Sequence, residues 1–171
     1  MSIRILAVCT LSVGALMAAC APVPAPAPIP VGASSAFRAE DFAWSARPGA
    51  SAINGQVRYR QNGMTYACTG SAGLTPETPY TRARFQTLYG STEAAAIPEA
   101  VVRARTVADS SADYRSFVRS VPCTGETFNF TGLPDGGWFL IVPVRAQGDE
   151  GPLVLMRHVV TRGGRVVDVT L

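Results

Sequence analysis

Four cysteines and a single histidine are the side chains of this 171-residue chain with the reactivity to carry chemistry. A zinc centre needs four ligands at characteristic spacings. Cys9, Cys20, Cys68 and Cys123 contain no C-x-x-C pair and His158 stands alone, so no metal and no other cofactor is expected. As a general base His158 would need a nucleophile in reach and an acid to orient it. The chain has no G-x-S-x-G elbow, no H-E-x-x-H and no phosphate-cradling glycine loop. The imidazole therefore reads as a strand residue with its tip in water or hydrogen-bonded, and no residue is assigned as catalytic. Facing carboxylates would offer glycoside hydrolysis. Asp135, however, sits in a turn and Asp149-Glu150 at a loop tip, where turn chemistry and solubility explain them.

Contact is the other chemistry on offer. Thr78-Pro79 opens a helix, with Thr as N-cap and Pro at the first helical position, and Gly90 closes it. On that helix Tyr80 and Arg84 are neighbours at i,i+4, a pair able to stack on a sugar or dock a protein. Tyr80, Arg82, Arg84 and Tyr89 form the candidate binding surface. The competing reading is an amphipathic helix whose Phe85 and Leu88 face a core while its arginines are solvated. Pro98 can start a second short helix with Ala100, Val101, Ala104, Val107 and Ala108 inward and Glu99 placed four residues before Arg103. Whether 91–113 is helical or disordered stays open. Its Ser- and Ala-rich flanks point to a surface insertion, and insertions on a rigid scaffold are where binding usually resides.

The elements around that insertion are strands. Ile53, Gly55, Val57 and Tyr59 alternate with Asn54, Gln56, Arg58 and Arg60, giving a strand with one wet face. Asn62-Gly63 is the strongest short hairpin signal, and the chain returns with Met64, Tyr66 and Cys68 on one face. Ala72 to Thr75 makes a third strand. Further runs at 114–123, 126–131, 138–146, 153–161 and 165–171 are separated each time by turn residues. Trp138 to Val144 is apolar on both faces, the mark of a buried central strand. Pro143 contradicts that, since proline cannot donate to a ladder, and calls for a bulge or an edge there.

The N-terminus sets the compartment. Arg4, the thirteen apolar-leaning positions from Ile5 to Met17 and the small residues after them make a secretory signal over residues 1–19. Such a run is too short to span a bilayer, which takes about 20 residues. Leu16-Met17-Ala18-Ala19-Cys20 resembles the lipobox of bacterial lipoproteins, whose peptidase cuts before a cysteine that carries lipid. Met17 departs from the usual Leu. An ordinary signal peptidase would find small residues around Ala19-Cys20-Ala21, but Pro22 directly after that cut is an arrangement such enzymes generally reject. The resemblance implies that Cys20 carries a diacylglycerol thioether and an amide-linked chain of the palmitate kind. One acyl chain, at ~0.8 kcal/mol per buried methylene, anchors marginally; two or more anchor stably. Proline at every second position from Pro22 to Pro30 makes residues 20–36 a spacer of polyproline character, roughly 28 Å over nine residues at ~3.1 Å each. Ala21 is not the Asp that retains many lipoproteins in the inner membrane. By resemblance the protein is a membrane-anchored lipoprotein of the outer membrane, facing the periplasm.

Export changes the cysteine arithmetic. Cys9 leaves with the signal and Cys20 carries lipid, so Cys68 and Cys123 most simply pair as a disulfide in an oxidising compartment. Two free thiols are the alternative. The closed loop of 55 residues is worth at most ~4 kcal/mol.

Residues 37–171 are the length of one domain. Gly55-Gln56-Val57, followed by Thr127-Phe128-Asn129-Phe130-Thr131-Gly132-Leu133-Pro134-Asp135-Gly136-Gly137-Trp138, resembles the carboxypeptidase regulatory-like, transthyretin-like β-sandwich. Phe128 and Phe130 share a face by the two-residue period, Leu133-Pro134 turns the chain, and Gly136-Gly137 are expected to supply positive φ. The likeness spans Ile53 to Leu171, best over Glu126 to Val144, and departs at Leu74 to Asp113, where the insertion falls. It implies a mainly all-β fold: one sandwich of about seven strands with one or two short helices inserted. It also implies an accessory module. The chain carries Arg but no Lys, 15 cations spread evenly against 12 carboxylates, with no basic run, so nucleic acid is not an expected partner. The expected function is a lipid-anchored, non-catalytic binding or scaffolding module whose partner is an envelope protein or polysaccharide. A hydrolase of envelope polymer and a dedicated carbohydrate-binding module are the alternatives. A row of exposed aromatics would favour the sugar reading, and His158 in a polar cleft beside Ser and Asp the enzyme.

Overall fold

The computed structural model describes residues 36–107, 113–146 and 151–171. The signal segment, Cys20, all but the last residue of the spacer, and Asp149-Glu150 lie outside the described residues. Within them ten strands form two sheets packed face to face, a β-sandwich. The small sheet holds β1 (Ser51–Gln56) between β7 (Thr127–Leu133), antiparallel, and β10 (Val166–Thr170), parallel. The large sheet is built on β8 (Gly136–Ala146), the central strand. One side of β8 pairs with β9 (Leu153–Thr161), which pairs in turn with β5 (Ala94–Pro98). Its other side pairs with β3 (Met64–Cys68) and β4 (Ser71–Pro76), set end to end along it. A two-residue β2 (Arg60–Gln61) extends the sheet from β3, and β6 (Arg119–Pro122) from β4.

The count exceeds the expected seven or so because the first run divides between the two sheets and the expected insertion adds a strand. The run from Ile53 to Tyr59 keeps its alternation, but β1 ends at Gln56, and Val57 to Tyr59 cross from the small sheet to the large one. The Asn62-Gly63 turn, both residues at positive φ, therefore joins β2 to β3 rather than β1 to β3. The segment expected as an insertion contributes β5, an edge strand of the large sheet.

β8 is buried on both faces, as its composition requires. Trp138, Leu140, Val142 and Val144 point into the sandwich against Ile53, Phe128, Phe130 and Val169 of the small sheet. Phe139 and Ile141 point outward and are covered by α1 (Pro79–Tyr89), whose Phe85 ring stacks on Phe139 at 4.4 Å beside Val154 and Met156. The helix is fixed at both ends: Thr78 and Thr81 form a reciprocal capping box, and Gly90 takes the left-handed conformation at φ 73°. Pro143 lies opposite Val154 with no bulge. In an antiparallel strand a residue's N–H and C=O point to the same side. The Pro143 carbonyl accepts from Thr69 N at 2.9 Å, so the missing donor faces the junction where the β3 ladder ends at Cys68 and the β4 ladder begins at Gly73. Proline is tolerated here because the ladder is already interrupted.

Gly136 and Gly137 are not at positive φ; Gly132, at φ 65°, makes the left-handed step in this hairpin. The two glycines are strand residues that leave room instead. A methyl on Gly136 would overlap the Trp44 ring, and one on Gly137 would overlap the Glu77 carboxylate. Trp44 belongs to a 3-10 segment (Ala39–Ala46) and meets Trp138 edge-on at 4.8 Å, closing that end of the core. Phe42 of the same segment is fully buried and stacks on Phe117 at 4.7 Å. Phe117 lies in a second 3-10 turn (Tyr114–Phe117) where a strand was expected to have begun. The short helix α2 (Glu99–Ala104) forms after Pro98 and carries the Glu99–Arg103 ion pair. Its expected inward face is corrected: Ala100, Val101 and Ala104 are exposed and Val102 packs toward α1, since β5, not the helix, lies against the sheet.

Cys68 and Cys123 form the disulfide, joining the end of β3 to the residue after β6. Replacing both by Ser is expected to lower unfolding stability by up to ~4 kcal/mol, with a steeper dependence on urea because the uncrosslinked unfolded chain exposes more surface. Equilibrium urea unfolding of the mature protein checks both.

Candidate functional site

The best-connected polar cluster sits at the start of α1, on the outer face of the large sheet. Outward-facing His158 of β9 meets Glu77, the residue between β4 and the helix cap: Nε2 and Oε2 are 2.7 Å apart. The other Glu77 oxygen pairs with Arg82, one turn into the helix. The second ring nitrogen, Nδ1, lies 3.9 Å from the Glu93 carboxylate, and the ring packs beside Phe139. The ring tip is thus hydrogen-bonded, as one of the two expected states, and its partner is an acid that no sequence motif placed there. Glu77 is 81 residues away in sequence, and only the pairing of β9 with β8 and of β8 with β4 brings it close. Chemically the arrangement is a tie. Both imidazole nitrogens face carboxylates, and among the described residues no Ser, Thr or Cys side chain hydrogen-bonds to the ring. Partial burial by itself raises the Glu77 carboxyl, but hydrogen bonds from His158 and Arg82, reinforced by their charges, outweigh it and hold the carboxyl below the usual carboxylate range.

Of the helix residues assigned to contact, Tyr80 and Tyr89 are buried, Arg84 is half-buried and Arg82 stays exposed. Tyr80 and Tyr89 are 4% and 7% exposed. Tyr80 packs against Phe37 and Tyr114, and burial pushes the Tyr89 hydroxyl up to about 12. Arg84 donates to the Tyr80 hydroxyl at 3.3 Å and lies 4.6 Å over the Tyr114 ring, while Arg82 is held by Glu77. Tyr80, Arg82, Arg84 and Tyr89 therefore form no shared surface. Phe37, just ahead of the first 3-10 segment, and Tyr114, at the start of the second, cover Tyr80, and neither stretch left a periodic signal in the sequence.

The small sheet, in contrast, leaves its outer face open. Alternation buries Ile53, Gly55, Phe128, Phe130 and Val169 and turns Asn54, Asn129 and Asp168 outward. Strand register sets these three side by side across β7, β1 and β10. Asn129 Nδ2 donates to Asn54 Oδ1, and Asn54 Nδ2 donates to Asp168 Oδ1 at 3.1 Å. Thr127, Gln56 and Thr170 form a second row, with Gln56 steadied by Arg58 at 2.9 Å. The face is a shallow groove of about 640 Å³ walled by Pro122 and Thr124, and Asp168 is its one charged lining residue. The wall is stiff. Thr124 and Thr127 exchange backbone hydrogen bonds at 2.8 and 3.1 Å, next to the bridged Cys123. The wet face of β1 was visible in the sequence. Its completion by a strand 114 residues away was not.

These features define a β-sandwich module with one helix-covered outer face and one polar, open face. No protein-family model matches the chain, and no curated protein matches it. Among solved structures it is similar to a protein from Pseudomonas aeruginosa described as a "putative carbohydrate binding protein", at TM-score 0.54 and 18% identity, covering 79% of this chain and 96% of that one. At that identity the likeness shows the fold.

The Glu77 tie carries a pH signature. A carboxyl lowered by folding stabilises the fold above its unfolded value and loses that contribution as pH falls through the lowered one. Glu77→Gln is expected to destabilise the protein by about 1 kcal/mol near neutrality and by nothing once the carboxylates are protonated. Thermal melts of both proteins from pH ~3 to ~7 measure the convergence.

Proposed function

We propose that this chain is a lipid-anchored, non-catalytic binding module of the bacterial cell envelope, and that the polar face of the small sheet is its ligand surface. The observation that carries the reading is the groove itself. Six neutral or acidic polar side chains from three strands point the same way, and rigid backbone positions all of them. A solvated face with no role would need neither the ordered Asn129–Asn54–Asp168 chain nor a braced wall. The groove's polarity suits a polysaccharide better than an apolar protein epitope, and the description carried by the Pseudomonas aeruginosa neighbour supports that choice. The anchor rests on the lipobox-like run ending at Cys20 and the proline-rich spacer after it. The spacer then holds the sandwich clear of the lipid headgroups, where polymer is within reach. The tie at His158 supports a structural part for the imidazole, since it offers no nucleophile to activate.

Two measurements test the parts separately. Cys20→Ala should abolish labelling by an alkyne fatty acid and release the protein or leave it unprocessed; equal labelling of both proteins would refute the anchor. A photoreactive residue at position 56 should capture envelope material in intact cells, whereas one at Val101, exposed on α2 and no part of the groove lining, should not. Equal capture at both positions would remove the small-sheet face from the function.

A further inference from the structure

We infer that the ligand of this face is an uncharged glycan, gripped across the strands by Asn129, Asn54 and Asp168; this rests on the small-sheet face being the ligand surface. A carboxamide has two N–H donors and one acceptor oxygen, and a carboxylate only acceptors. The chain within the row runs one way, Asn129 to Asn54 to Asp168, and uses one donor from each amide. It leaves the second N–H of each Asn, the Asn129 oxygen and the second Asp168 oxygen for a partner. Donors and acceptors thus lie in one line, separated by the strand spacing of about 4.8 Å. A sugar ring is of that order of size, and its neighbouring hydroxyls each donate and accept, so successive hydroxyls can bridge successive side chains.

Charge narrows the class. Asp168 is the one charged lining residue, so a phosphorylated or uronic-acid polymer would meet repulsion at the Asn129–Asn54–Asp168 row, while the Arg58 guanidinium beside the second row is engaged on Gln56 at 2.9 Å. A cationic polymer would gain a single exposed ion pair, an interaction worth little in water. A neutral hydroxyl, by contrast, makes a charge-assisted bond to that carboxylate, shorter and stronger than a neutral pair. Among the described residues no aromatic side chain is fully exposed. Recognition therefore runs through hydroxyl edges, with Pro122 and the threonine methyls against the ring C–H groups.

The test uses the mature protein, a panel of neutral glycans (glucans, mannans, galactans and N-acetylhexosamine oligomers) and a polyuronate of matched length. At least one neutral glycan should bind, with affinity changing less than about threefold between low and ~0.5 M salt. Asn54→Ala and Asp168→Asn should each weaken it about tenfold or more while leaving the melting temperature in place. The polyuronate should not bind. Preference for the polyuronate, or steep salt dependence, overturns the uncharged class. Binding that survives both substitutions overturns the row as the site. If no neutral glycan binds while position 56 still captures envelope material, the ligand class is wrong and the face stands; if capture fails as well, the face is wrong too.

Discussion

A strand buried on both sides sets the terms for this molecule. Each face of β8 must be covered by something apolar, so the small sheet closes one side and α1 the other. Double burial also leaves the Trp138 indole with no water. Its N–H donates to Thr161 Oγ1 at 3.0 Å, and the Thr161 hydroxyl donates in turn to the Pro134 carbonyl at 2.7 Å. An unpaired donor at that depth costs about 1–3 kcal/mol. The fully buried threonine is therefore part of the core and not a polar accident. Asp135, in the turn before β8, anchors the same corner through Ser51 Oγ at 3.1 Å and Gly163 N at 2.7 Å, and the Gly163 bond leads in holding its carboxyl below the usual range.

What the sequence displays about this fold is local. The N-cap at Thr78, the Asn62-Gly63 turn and the shared face of Phe128 and Phe130 are each written within a few residues, and each stands in the structure. What it hides depends on packing between distant segments. Alternation continues unbroken through Val57 and Tyr59 because both remain inward-facing, so the pattern cannot tell that the chain has changed sheets there. Tyr80 reads as a contact residue because it neighbours Arg84 at i,i+4; it is buried by Phe37 and Tyr114, from segments without period. Glycine was legible as a special residue but not for its reason. Gly136 and Gly137 serve close approach rather than backbone freedom.

The two outer faces of the sandwich show how composition alone divides labour. The outer side of the large sheet carries Phe139, Ile141, Val154 and Met156, and is hidden. The outer side of the small sheet carries Asn, Asp, Gln and Thr, and stays wet. Asn and Asp are disfavoured within strands. Three of them in register across three strands are a local conflict of the kind natural proteins concentrate at working sites. Gly55 sharpens the point. It is the inward partner of that row, and the Phe128 ring occupies the space a side chain would take, so the core is filled from the neighbouring strand while the backbone stays level beneath the polar row.

The parallel pairing of β1 with β10 has a consequence in time. Asn54 and Asp168 lie 114 residues apart, and a contact closing so long a loop forms slowly and late relative to local hairpins. The β2–β3 and β8–β9 hairpins need no such closure. The hairpins can thus form first, and β10 docks onto β1 after the pairings that close shorter loops. A chain emerging N-terminus first exposes β1 with one neighbour missing until nearly all the rest has followed. The polar row exists only when that last strand is in place. A ligand that needs all three side chains therefore senses a finished molecule, and the half-built sheet offers it nothing to hold.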